Sequence, residues 1–250
     1  MTAGPPPKAP APAPVDIGVV AALPIEVAPL LARFERVRKY AGPKVTIVEG
    51  ECGGKLVAMV LTGPGRARAQ RGAEVLLDGH RPRWIVSAGF AGALDPSLRR
   101  NEIVLANEVV NREGQRFTID LNVNNASIRT GRLLTVDEIV RTAAEKAALR
   151  DEFSADVVDM ETSAVAALCG DRGVRFLSVR AVSDEAGGDL PPEILAILGR
   201  SGGLRLGATL GAVWKRPSSV KDLLALRQHA IEAAARLSAF LIGVAFPQLA

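Results

Sequence analysis

Three acids stand where an apolar chain has little reason to place them. Glu161 follows Met160 in the stretch VVDMETSAVAALC (157–169), at the mouth of a helix. Asp184 follows Ser183 where FLSVRAVSDEAGGD (176–189) leaves its apolar run, and Glu26 comes just after DIGVVAAL (16–23) and Pro24. Each lies just past the carboxyl end of an apolar segment, which in an open α/β sheet is the edge where ligands bind. Carboxyl groups gathered there from distant parts of a chain make a catalytic cleft, able to give or take a proton. Each acid also has a plainer reading. Glu26 and Glu161 would complement a helix dipole, worth a few tenths to about 1 kcal/mol, and Asp184 would be turn chemistry after a strand. The plain reading is strong for any one acid and weaker for three.

The elements that must position them alternate along the chain. Residues 16–23 read as a buried strand, and Pro24 opens a helix running to about Arg36. KLVAMVLTG (55–63) is a strand, broken by GPG before a helix over Ala67 to Leu77. WIVSAG (84–89) is a strand ending in GFAGALDP, and EIVLANEVV (102–110) is another. LNVNNASIRTGRLLT is turn-rich with RLLT as a strand end, and VDEIVRTAAEKAALRDEF (136–153) is an amphipathic helix. A short strand ends near Val158, a helix covers Thr162 to Cys169, and VRFLSVRAV (174–182) is a strand. A Gly/Pro-broken stretch then leads to a long helix from about Val220. Strands apolar on both faces and separated by helices imply an α/β fold, a single domain with a mixed, mostly parallel central sheet flanked by helices.

Composition sets the outer bounds. A chain of 250 residues with 48% hydrophobic and 23% charged residues is an ordinary soluble globule. The net charge of +4 is scattered apart from short runs such as Arg81–Arg83 and Arg99–Arg100, which describes a solvated surface and not a nucleic-acid face. Cys52 and Cys169 are far apart and lack histidines at ligand spacing, which argues against a zinc site or a disulfide and fits a reducing, cytoplasmic setting. MTAGPPPKAPAPAPVD has no apolar signal region, so 1–15 reads as a disordered Pro/Ala tail ahead of a domain over 16–250. LSAFLIGVAF (237–246) is about half the length of a membrane span and reads as the buried face of a last helix, so no transmembrane segment is expected.

Four stretches carry a resemblance. VVAALPIEVAPLL, VSAGFAGALDPSLRRNEIVLANEV, VVDMETSAVAALC and VRAVSDEAGGD occur in the order and spacing of the purine nucleoside/uridine phosphorylase superfamily. They look most like its 5′-methylthioadenosine/S-adenosylhomocysteine nucleosidase branch, over about residues 16 to 186, and residues 187 to 227 match poorly. The resemblance implies a nucleoside phosphorylase-like fold and cleavage of a purine ribosyl N-glycosidic bond. It makes Asp184 the general acid at the purine N7, with Ser183 beside it and burial at the strand end holding its proton. It makes Glu161 the acceptor for the ribose hydroxyls, with Met160 packed on the sugar and Ala91 and Gly92 facing the ribosyl site. Glu26 matches the residue that activates water in the nucleosidases, where the phosphorylases bind phosphate through Arg and Ser side chains.

Departures from that pattern bear on the substrate. Ser87 stands at the Arg place and Phe90 at the Ser place, and a phenyl ring cannot hold phosphate oxygens, so hydrolysis is favoured. Ile139, with Val140 beside it, stands where the nucleosidases tend to stack an aromatic on the base. The apolar stretches PPEILAILG and LRLGATLGAVW border the 5′ side by resemblance, as a hydrophobic lip or as plain core packing. A lip of that kind resembles the hopanoid-associated members, which remove adenine from an adenosyl-hopanoid, and would give peripheral access to a lipid-linked substrate. The expected protein is a purine, chiefly adenine, nucleosidase needing no cofactor or metal, and a homo-oligomer by resemblance. Two alternatives stay open: a phosphate-dependent phosphorylase using Arg66, and a nucleoside-binding protein without turnover. Arg66 and Arg68 also read simply as a surface helix start.

Overall fold

The computed structural model describes residues 14–41, 45–121, 128–190 and 218–249, with side chains in the last segment from residue 227. In chain order the elements are β1 (Ile17–Ala21), α1 (Pro24–Leu31), β2 (Glu35–Ala41), β3 (Thr46–Cys52), β4 (Lys55–Leu61), α2 (Arg66–His80), β5 (Trp84–Ala93), β6 (Ile103–Asn111), β7 (Arg116–Thr118), β8 (Arg129–Thr135), α3 (Ala143–Phe153), β9 (Val157–Asp159), α4 (Thr162–Arg172), β10 (Arg175–Asp184) and α5 (Ser218–Phe240). After α5 the chain passes through a π turn (Leu241–Ala245) into a short α6 (Phe246–Gln248).

β5 is the hub. It runs parallel to β1 through its first half and parallel to β10 along its length, and its end pairs antiparallel with β9. From β10 the path continues through β6, β8 and β9 back to β5, closing a five-stranded ring, while β1, β4, β3 and β2 extend from β5 as an open sheet. Parallel pairings form most of the spine; β10–β6 and β5–β9 within the ring are antiparallel, and further antiparallel pairings join β2, β3 and β7 at the margins. β1 is buried at every position, because both faces of the sheet are covered. On one face Val19, Val57 and Leu30 pack with Leu237 and Leu241, and on the other Val60 and Ile85 pack with Leu76 and Val165.

Several boundaries differ from the sequence reading. α1 stops at Leu31, not near Arg36, and the chain turns so that Phe34 is buried. Charged residues after it form β2, an edge strand with six of seven residues exposed, whose sequence carries no alternation to reveal it. β3 was likewise not anticipated. β5 continues through Gly89 to Ala93, because β10 and β9 pair with it there. The helix expected over 136–153 begins only at Ala143. Thr142 caps it, accepting from Glu145 N–H at 3.2 Å, while Glu145 accepts from Thr142 N–H at 2.9 Å. Residues 136 to 142 are therefore loop.

Val15 is buried and donates to the His80 carbonyl at 3.0 Å, so the packed chain starts one residue inside the stretch read as tail. Residues 1–13 and the apolar stretches within 191–217 lie outside the described residues. Arg227–Gln248 is helical, and long and apolar enough by length and composition to cross a membrane. Ala233, Ala234, Leu237 and Leu241 on it are fully buried. Cys52 and Cys169 are free, buried thiols, and burial pushes Cys169 up to about 12.

Candidate active site

Glu26 is the third residue of α1. The residue ahead of the helix, Leu23, has no side-chain oxygen with which to cap it, so Glu26 reaches back. Its Oε2 accepts from Ala22 N–H at 3.1 Å and Leu23 N–H at 2.7 Å, and Oε1 accepts from Phe90 N–H on β5 at 2.9 Å. β5 comes that close because residue 89 is glycine: a Cβ there would lie 2.8 Å from Oε1. Three donors on a carboxylate with about four acceptor positions leave one open. Burial raises the Glu26 carboxyl above its ordinary 4.5, against the pull of these amides and of Arg180.

Glu161 precedes the first residue of α4. Its Oε1 accepts from Gly65 N–H at 2.8 Å and Oε2 from Met160 N–H at 3.3 Å. Gly65 has φ of 105°, a conformation open to glycine, and this turns its amide toward the acid. Burial first, then the charges of Asp159 and Glu26, push the Glu161 carboxyl up to about 8. Asp159 stays paired. Arg180, in the middle of β10, donates to its Oδ2 through Nε at 3.1 Å and an Nη at 2.7 Å, and Thr135 Oγ1 donates to Oδ1 at 2.8 Å. Ser87 Oγ accepts from Arg180 at 2.7 Å, so the serine at the expected arginine place serves this buried pair.

Asp184 ends β10, where the register against β5 slips: Val182 pairs with Ala91, and Asp184 pairs with Gly92. Ser183 is the extra residue of this bulge, a feature that re-aims side chains beside sites. Its Oγ lies 2.6 Å from Asp184 Oδ1 and 3.2 Å from the Ala91 carbonyl. Gly92 makes room for the acid, since a Cβ there would sit 3.2 Å from Asp184 Oδ2. Burial was the device expected around Asp184. The structure adds Lys146, wholly buried on α3, with Nζ 2.6 Å from Oδ2.

These acids line one cavity of about 400 Å³, within the size range of nucleoside-sized sites. All ten residues expected from the sequence to act in catalysis or hold the nucleoside border it. Glu26, Phe90, Ala91 and Gly92 come from α1 and β5, Met160 and Glu161 from the turn into α4, and Ser183 and Asp184 from β10. Ile139 and Val140 come from the loop that had been read as helix. Sequence reasoning missed Asp159 on the wall, Pro64 from the GPG turn, and Leu190, Arg227 and His229 toward the last helix. It also missed Lys146 and Arg180 behind the wall. Arg180 had a signal, a cation inside the apolar strand VRFLSVRAV; Lys146 looked like any lysine on an amphipathic helix. Arg66, the suspected anion site, engages two carboxylates instead, Glu113 at 2.9 and 3.0 Å and Asp137 at 2.9 Å.

The molecule has relatives. A 5′-methylthioadenosine/S-adenosylhomocysteine nucleosidase of Staphylococcus haemolyticus is 26% identical over 199 residues, 69% of this chain and 87% of the relative. The crystal structure of a 5′-methylthioadenosine/S-adenosylhomocysteine nucleosidase from Neisseria meningitidis, in complex with methylthio-immucillin-A, superposes with a TM-score of 0.70 at 20% identity, covering 91% of this chain and 99% of that one. A futalosine hydrolase mutant of Helicobacter pylori superposes with a TM-score of 0.67 at 17% identity, covering 90% and 98%. These structures share the fold. The sequence model of the Phosphorylase superfamily matches residues 16–127 and 120–198, and with most of its length accounted for in this way, the chain belongs to that superfamily.

Proposed function

We propose that the protein hydrolyses the N-glycosidic bond of a purine nucleoside, with adenine as the base. The observation that carries this reading is the convergence of Glu26, Glu161 and Asp184 on one nucleoside-sized cavity. Water held at the open acceptor position of Glu26 attacks C1′ and gives its proton to that carboxylate. The electron pair of the breaking C1′–N9 bond moves into the purine, which takes a proton at N7 from Asp184. Glu161 accepts from the ribose hydroxyls and favours the positive charge growing on the sugar. Ile139 and Val140 flank the base, Met160 packs on the ribose, and Ala91 and Gly92 let the sugar approach β5.

Charge supports hydrolysis over phosphorolysis. An incoming phosphate would meet Glu26, Asp159, Glu161 and Asp184, while the buried cations Arg180 and Lys146 are already paired with two of them and Arg227, the other arginine on the wall, is exposed to solvent. Phe90 occupies the wall where a hydroxyl would serve an anion. The relatives named for methylthioadenosine and adenosylhomocysteine cleavage support an adenine nucleoside carrying a 5′ substituent. Leu23, Ile25, Leu190 and Ala230 among the lining residues suit an apolar 5′ group, for which an adenosyl-hopanoid is the large extreme. Asp184→Asn tests the acid. Turnover should fall by about 10²–10⁴-fold with nucleoside binding retained. Binding by both forms with turnover by neither would leave a binding protein and not an enzyme.

A further inference from the structure

Lys146 is wholly buried, and a lysine is rarely left so without a task for its charge. Its Nζ donates to the Glu185 carbonyl at 2.7 Å and the Gly188 carbonyl at 2.8 Å. Its third neighbour is Asp184 Oδ2 at 2.6 Å, a close approach off the ideal hydrogen-bond direction, so Oδ2 is buried without a well-directed donor. Two carbonyls satisfy two N–H groups in either protonation state of the amine. The third position then holds an N–H facing a carboxylate, or a lone pair facing a carboxylic acid, with no other group having to move. Ser183 is equally ambivalent, lying between the Ala91 carbonyl and Asp184 Oδ1. Its hydroxyl donates to a carboxylate, or turns to the carbonyl and accepts from a protonated acid.

We propose that Lys146 and Asp184 act as one acid, sharing a proton that Lys146 supplies and Asp184 delivers to the departing purine. This rests on the nucleosidase reading and deepens it. Before cleavage the pair holds an ammonium and a carboxylate. As the C1′–N9 electron pair enters the purine, the shared proton passes to N7, leaving an amine and a carboxylate, and a solvent proton then restores the ammonium. Lys146 does not touch substrate; it is a positioning residue that acts through Asp184. Several neighbouring charged groups are engaged elsewhere. Glu145 accepts from the Arg141 and Thr142 amides, Asp189 from Ala143 N–H, and Glu185 from Arg100 N–H, while Arg141 donates to the Leu190 carbonyl. Glu26, Glu138, Asp159, Glu161, Arg227 and His229 share the cavity with Asp184.

A pair that loses its last proton from the lysine side keeps working above neutral pH, whereas a carboxyl with its ordinary pKa, near about 4, does not. The test compares wild type with Lys146→Met, an uncharged side chain of similar length. Substrates are adenosine and a 4-nitrophenyl riboside, whose phenolate leaves without a proton. The proposal expects Lys146→Met to lose about 100-fold on adenosine at pH 7.5, a loss that shrinks in acid, while the nitrophenyl riboside changes by less than about 3-fold. Equal losses on both substrates, or an unmoved pH profile, would make Lys146 structural and overturn the proposal. If the variant does not fold, the wild-type profile decides. Adenosine cleavage persisting above neutral supports the shared proton, and a fall through the ordinary carboxyl range, near about 4, overturns it. A wild type that cleaves neither substrate overturns the nucleosidase reading itself.

Discussion

The Gly65 amide donates to Glu161 Oε1 at 2.8 Å, tying the turn after β4 to the start of α4 across 96 residues of sequence. That bond fixes the acid in the cavity wall. Even so, burial and the neighbouring Asp159 and Glu26 charges hold its carboxyl at about 8. Ribose hydroxyls that donate to Glu161 favour its ionised form, while the empty cavity favours the protonated one. Nucleoside affinity should therefore climb with pH toward about 8 and level off above it. Calorimetry at pH 7 in two buffers of different ionisation enthalpy should detect a proton released on binding. Affinity independent of pH, with no buffer effect, would remove Glu161 from the ribose.

The same carboxyl has a cost in stability. A pKa raised from 4.5 to about 8 in the fold stabilises the protein fully below 4.5, and that contribution is lost as pH rises through about 8. Glu161→Gln should thus be more stable than wild type at pH 7, by at most about 3 kcal/mol, and melt at a higher temperature. The gap should close as pH falls toward 4.5, which melting curves across that range would read directly.

Gly89→Ala places a Cβ 2.8 Å from Glu26 Oε1, and Gly92→Ala places one 3.2 Å from Asp184 Oδ2. Glu26 is pinned by three amides and has the less room to yield. Gly89→Ala should lower kcat by about 100-fold or more, because a displacement near 1 Å at a reacting group costs that much. Gly92→Ala should cost less. Steady-state kinetics on folded variants rank them, and a reversed order would mean that the Glu26 carboxylate is not held for chemistry.

Arg180→Met leaves Asp159 buried beside Glu161 without its cation. Removing one member of a buried ion pair costs about 3–5 kcal/mol, so a loss of stability of that order, seen as a lower melting temperature, is expected. Asp159 and Arg180 replaced together by Asn and Met should recover part of it. A double variant no better than Arg180→Met alone would mean that the arginine stabilises mainly through the Ser87 and Thr162 hydroxyls, which also accept from it.

How far the sequence carried differs between the two levels. The buried strands β1, β4, β5 and β10 declare themselves as apolar runs, and the acids after them mark the ligand edge. β2 does not, because an exposed edge strand of charged residues has no apolar face to alternate. The start of α3 was misplaced because VDEIV continues a helical pattern, although Thr142 and Glu145 stand at the spacing of a capping box and mark the true start in the sequence itself. That same misplacement concealed the loop carrying Ile139 and Val140. Arg180 showed itself only as a cation inside an apolar strand, and Lys146 was illegible as a site element, since nothing in a lysine's neighbours along a helix says that a distant aspartate will sit on its ammonium.

The most direct test of the hydrolytic reading is base release from adenosine and methylthioadenosine, followed by chromatography with and without inorganic phosphate. Free adenine and free sugar at a rate indifferent to phosphate is the predicted result. Strict dependence on phosphate, with a sugar 1-phosphate as product, would contradict it and mean that an anion is held despite Phe90 and the four carboxylates.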